Sequence, residues 1–161
     1  KGGMSIRFPE DDVRTMGRTA AGVRGMELDD GDEVVGMSVL DPKQADLTLL
    51  TVTSAGYGKR TEASEYRVQS RGGKGIITMK TGDKTGHVVG ALTVTDNDEL
   101  MLITTKGQMV RTPVKEIRET GRNAMGVKLL TLREGEKLQA IAPVVSQAAE
   151  AEAEVEAPTP T

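Results

Sequence analysis

The 161-residue sequence predicts an all-β fold, a partial propeller-like array of four-stranded blades, on two observations. The chain repeats itself: Gly3-x-x-x-Arg7, Gly56-x-x-x-Arg60 and Gly107-x-x-x-Arg111 stand 53 and 51 residues apart. GRTAAGV (17–23), SRGGKGI (70–76) and GRNAMGV (121–127) keep the same two intervals, and VVGMSV (34–39), VVGALTV (88–94) and LQAIAPV (138–144) follow at nearly the same offset. Within each period the apolar runs are short, rich in Val, Ile, Leu and Thr, and bounded by Gly, Asp and Asn, which is the pattern of strands. Small sheets at a period of about 50 residues must stack on one another to bury both faces, hence blades.

In chain order the middle unit is expected to form strands at 48–53, 57–61, 75–80 and 87–94, and the last unit at 99–104, 109–113, 126–132 and 138–142, four per unit. The stretch between the second strand and the GKG-like element is too polar for a core strand and should cross the blade's rim. Residues 1–46 then form a partial, N-terminally truncated first blade, 47–98 a second blade and 99–147 a last one. Closed propellers hold about four to eight blades, so the chain reads as the C-terminal part of a larger ring. Residues 148–161, AAEAEAEVEAPTPT, have too little apolar surface to fold and are expected to be a disordered acidic tail.

Composition narrows the function. There is no cysteine for a disulfide framework, which suits a reducing cytoplasm, and with His87 the single histidine a zinc site has almost no ligands. No apolar run approaches the roughly 18 residues of a membrane span. The net charge of −3 hides a division: four of the 24 acids lie in residues 148–161, leaving 21 bases against 20 acids in residues 1–147. Nucleic-acid binding must therefore be argued from where the charges sit.

The polar connection of each repeat carries the bases: Arg14, Arg18 and Arg24; Arg67, Arg71 and Lys74; Arg118, Arg122 and Lys128. The acids collect in other turns, at Asp29, Asp30, Asp32 and Glu33, at Asp96, Asp98 and Glu99, and at Glu134 and Glu136. If rotation relates successive blades, the bases form a curved track along one rim. Such a track suits a bent duplex held through its phosphates, with bare glycine backbone at Gly72, Gly73 and Gly75 letting a strand approach. Single strands fit less well, because Phe8, Tyr57 and Tyr66 are the only aromatic residues available for stacking.

Competing readings of the same residues are structural. The glycines could supply positive φ in a tight turn, the Arg18, Arg71, Arg122 series could be an ion pair repeated in each blade, and Asp96, Asp98 and Glu99 suit a solvated turn better than a metal site. A basic-rimmed propeller could also serve as a protein-interaction module. The nucleotide-loop readings fail on spacing: Gly75 stands where a P-loop needs Ser or Thr, and Gly56-Tyr57-Gly58 puts Thr61 at the third glycine of GxGxxG. No nucleophile, base and oxyanion hole assemble, so no catalytic or metal-binding residue is expected.

VQSRGGKGI (68–76) resembles the QRRGGKG box in the C-terminal domain of the DNA gyrase A subunit, matching at Gln69, Arg71, Gly72, Gly73, Lys74 and Gly75 and departing at Ser70. DVRTMGRTAAGVRGMEL, SAGYGKRTEASEY and TGRNAMGVKLL resemble that family's later repeats, so the likeness spans residues 1 to 147. The resemblance implies a beta-pinwheel that wraps duplex DNA on its basic perimeter, in support of ATP-dependent negative supercoiling by a cytoplasmic, nucleoid-associated bacterial holoenzyme. It implies as partners the gyrase B subunit, together with the N-terminal breakage-reunion part that shares a polypeptide with this domain. The cleavage tyrosine and the ATP and Mg sites belong to those other parts, so no cofactor is expected here. The family's full box lies in the first blade, so residues 69–75 are its counterpart in a late blade. The A subunit of topoisomerase IV is a close relative with weaker boxes; the near-intact box and acidic tail favour gyrase.

Overall fold

A computed structural model describes residues 1–144. The predicted tail at 148–161 lies outside the described residues. Nine strands run in order: β1 (Met4–Ser5), β2 (Thr48–Thr53), β3 (Tyr57–Glu62), β4 (Ile76–Ile77), β5 (Val88–Val94), β6 (Glu99–Thr104), β7 (Met109–Pro113), β8 (Val127–Lys128) and β9 (Leu138–Val144). Single 3₁₀ turns at Glu10–Asp12, Ala63–Glu65 and Val114–Glu116 recur at the repeat interval. The long strands fall where the alternation of apolar residues and the bounding turns place them. Those expected at 75–80 and 126–132 shrink to two residues each, because their amides leave the ladder at once: Thr78 and Met79 both donate to the carbonyl of Gly3. VVGMSV (34–39) forms no strand, and Val34, Met37 and Val39 are exposed. Its repeat equivalents, β5 and β9, are held by antiparallel pairing to β2 and β6.

Sheet composition corrects the expectation of four strands from one repeat. The four-stranded sheet has the order β5-β2-β3-β8, and β8 comes from the following repeat, pairing Tyr57 with Lys128 and Gly58 with Val127. One repeat earlier, β4 crosses in the same way onto β1. The last sheet, β7-β6-β9, has three strands and leaves β7 at its edge. Each repeat thus lends its third strand to the repeat before it.

The glycine that opens each lent strand is required by geometry. Gly75 and Gly126 both have φ of +79°, and a Cβ there would stand 2.1 Å from the carbonyl oxygen of Ser5 and 2.5 Å from that of Gly58, inside contact distance with backbone. Four further contacts occur in both inter-repeat seams. Val88 N–H donates to Lys1 O and Leu138 N–H to Ser54 O; Thr78 N–H to Gly3 O and Leu129 N–H to Gly56 O. Gln69 N–H donates to Arg7 O and Thr120 N–H to Arg60 O, all six bonds at 2.8–2.9 Å. Arginine adds the fourth: Arg7 reaches the carbonyls of Ala63 and Tyr66, and Arg60 that of Ile117 at 2.8 Å. Between the second and third repeats these contacts enclose a core of Leu50, Val52, Val94, Leu100, Leu102, Val114, Ile117, Leu130 and Leu138. Each such side chain, fully buried, contributes about 1.5–3 kcal/mol.

Candidate nucleic-acid interface

The box-like loop lies in a seam. Gln69 is tied to Arg7 through its backbone, Gly72 N–H donates to Gly25 O at 2.9 Å, and Gly73 O accepts from Glu27 N–H at 2.9 Å. The loop therefore packs edgewise on residues 25–27 of the preceding repeat. Gly72, at φ +92°, supplies the turn that brings Gly73 into that ladder. Gln69 Oε1 is buried without a partner.

Arg71 and Arg122 occupy the same repeat position and do the same thing. Arg71 donates through Nε to Asp12 O at 3.0 Å and through its terminal nitrogen to Arg24 O. Arg122 donates to Ile77 O, the repeat counterpart of Arg24 O, at 2.9 Å, while its backbone N–H donates to Glu65 Oε2 at 3.1 Å. Both guanidinium groups fasten one repeat to the one before. The repeated ion pair that the series also suggested is not what holds them: the acceptors are carbonyl oxygens.

The other bases project from the same loops. Arg14, Arg18, Arg24, Arg67, Arg118 and Lys128 are exposed, and so is Lys74, whose ammonium lies 3.4 Å from Asp29 Oδ1. Arg14, Arg67 and Arg118 each follow a 3₁₀ turn at the repeat interval, so the backbone sets them at equivalent points on successive repeats. The Asp96 turn is more than a solvated loop: Asp96 is the counter-ion of the buried Arg60, and Asp98 accepts from Thr95 N–H at 2.7 Å.

One group has no counterpart in the sequence reading. Lys59 is fully buried, and its ammonium donates to the carbonyls of Gly121 at 2.7 Å and Arg122 at 2.6 Å. Burial pushes it down to about 8, with Glu65 opposing and Arg122 reinforcing the shift. Two residues on, Thr61 Oγ1 donates to Thr120 O at 2.9 Å, so β3 presents a row of donors to the loop that carries Arg122. Thr61→Val should therefore lower stability by about 1 kcal/mol in urea unfolding, the cost of one such bond. Tyr66 is buried against Thr78, with 2.5 Å between their hydroxyl oxygens, and burial pushes its phenol up. Tyr57 lies 6.0 Å from the Lys84 ammonium. His87 places Nδ1 3.4 Å from Ser54 Oγ.

A family model described as DNA gyrase C-terminal domain, beta-propeller, matches residues 1–41, 48–95 and 98–144. The DNA gyrase A subunit of Haloquadratum walsbyi is 48% identical over 139 residues, covering 86% of this chain and 16% of that protein. That of Lawsonia intracellularis is 50% identical over 133 residues, covering 83% and 16%. Among solved structures, a DNA gyrase A C-terminal domain superposes with a TM-score of 0.78 at 30% identity, over 90% of this chain and 48% of that one. The C-terminal domain of a DNA topoisomerase IV gives 0.86 at 25% identity, over 96% and 48%. The chain spans about 16% of the length of these curated relatives and about half of each solved domain.

Proposed function

The chain belongs to the DNA gyrase C-terminal domain, beta-propeller family, and on that premise we propose that it binds duplex DNA without sequence preference and wraps it along its basic rim. The observation that carries the reading is the recurrence of exposed Arg14, Arg67 and Arg118 at equivalent points of three successive repeats, with Arg18, Arg24, Lys74 and Lys128 beside them. Charges spaced by the fold along a curved edge neutralise phosphates at successive points of one duplex, and the contacts offset the cost of bending it. Gln69, Arg71, Gly72, Gly73, Gly75 and Arg122 take a supporting part, since their backbone and guanidinium bonds set the loops from which the free bases project.

In the same reading the chain has no catalytic step and no cofactor of its own. It presents DNA to a type IIA topoisomerase in the bacterial cytoplasm, at the nucleoid. The breakage-reunion part of the gyrase A polypeptide, with the gyrase B subunit, supplies strand passage, ATP and Mg. Sequence relatives that are DNA gyrase A subunits favour negative supercoiling over the topoisomerase IV alternative.

The test is duplex affinity against salt. Affinity should fall about 10³-fold or more between roughly 50 and 200 mM salt if six or more phosphates are neutralised. Changing Arg14, Arg67 and Arg118 together to Ala should reduce the log–log slope by about 0.9 per lost contact, equally for unrelated duplex sequences. Arg71 is a poor probe because its loss also opens a seam. A folded triple variant with full affinity and slope would overturn the reading and leave the basic rim to a protein partner.

A further inference from the structure

The seam between repeats is built twice within the chain, and each end of the chain carries one unused half of it. At the lending end, Gly22 is the repeat equivalent of Gly75 and Gly126. It has the same left-handed backbone, φ +85°, yet nothing lies within 4 Å of its Cβ position, where the other two abut a carbonyl. Val13, which follows the first 3₁₀ turn, is 43% exposed, whereas its counterparts Tyr66 and Ile117 are 5% and 1% exposed. At the accepting end, β7 is a sheet edge where β3 has β8. Met109 is 61% exposed there, and the Arg111 side chain is 57% exposed against 8% for its counterpart Arg60. Among the described residues Arg111 pairs only with Glu99 of its own sheet.

We infer that these halves are complementary, and that two copies of this chain associate head to tail through them, Val13 and Gly17–Arg24 of each copy seating on β7 and Arg111 of the other. The occupant is specified by the chain's own seams: the lent strand starts at a left-handed glycine, and the arginine on the accepting edge takes the carbonyl that ends the 3₁₀ turn. Tyr66 O serves Arg7 and Ile117 O serves Arg60; Val13 O would serve Arg111. A head-to-tail contact must either close or polymerise. Closure at two copies is set by length, because the chain covers 48% of each solved domain and two copies supply about one. The closed pair would also continue the basic rim, setting Arg14 and Arg18 of one copy next after Arg118 and Arg122 of the other.

Sedimentation equilibrium of the 161-residue chain tests this. The expected result is a species of twice the chain mass, dissociating on dilution. Gly22→Ala should raise the dissociation constant at least tenfold with no change in the circular dichroism of the single chain, because the added Cβ meets nothing until a second copy docks. Arg111→Ala should weaken the pair in the same direction. A monomer at about 100 μM, which would assign both ends to other repeats of a longer polypeptide, overturns the inference. So does an oligomer indifferent to Gly22→Ala, or one larger than a pair.

Discussion

Replacing Arg60 with methionine is expected to lower stability by about 2–4 kcal/mol in urea unfolding, while Arg111→Met, at the same position of the next repeat, should change it by less than about 0.5 kcal/mol. The difference comes from surroundings. Arg60 is nearly buried, satisfies the carbonyl of Ile117 and holds Asp96, which is mostly exposed and so adds little. Its removal leaves Ile117 O without its donor beside the core formed by Val114 and Ile117. Arg111 is exposed and meets only Glu99. Arg60→Lys should not restore the loss, since one ammonium cannot span the two acceptors that the guanidinium fork reaches. Equal losses at Arg60 and Arg111 would show that the seam does not depend on the arginine.

Lys59 makes stability depend on pH in an uncommon sense. Below about pH 8 the folded and unfolded chains both carry its proton. Above that, the folded chain gives up a proton that the unfolded chain keeps until 10.5, so stability rises with pH, at a slope approaching about 1.4 kcal/mol per unit. Tyr66 acts oppositely: with its phenol pushed above 10.0, the unfolded chain ionises first and stability falls beyond that point. Stability should therefore climb from about pH 8 and turn over near pH 10. Lys59→Met should abolish the climb, whatever its stability at neutral pH. Parallel pH profiles for the two proteins would refute the assignment.

Much of this architecture is legible in the sequence. Apolar alternation and turn residues are local, and they place β2, β3, β5, β6, β7 and β9 within a residue or two. The lending of β4 and β8 is not legible, because a two-residue strand carries no periodicity and its partner lies a whole repeat away. The recurring Gly-x-x-x-Arg marks Arg7, Arg60 and Arg111 as equivalent without showing that they clasp carbonyls. Lys59 is invisible for the opposite reason: its equivalents are Ile6 and Val110, so the pattern marks an apolar position that a lysine occupies. At the rim, composition finds the bases but cannot sort Arg71 and Arg122, fastened across a seam, from Arg14, Arg67 and Arg118, which stand free.

The lent strands also constrain how the molecule can be made. Ile77 returns to Met4, and Lys128 to Tyr57, across roughly 70 residues, separations that slow closure far more than they weaken the result. On a ribosome, where about 5–20 residues emerge each second, the strands around Tyr57 wait several seconds for Lys128. A nascent chain therefore carries one raw sheet edge throughout its synthesis, handed forward by one repeat each time a new repeat emerges. Pauses in translation shortly after β3 or β7 would prolong that exposure, and those are the points at which a growing chain of this kind is most open to pairing with a neighbour on the same messenger.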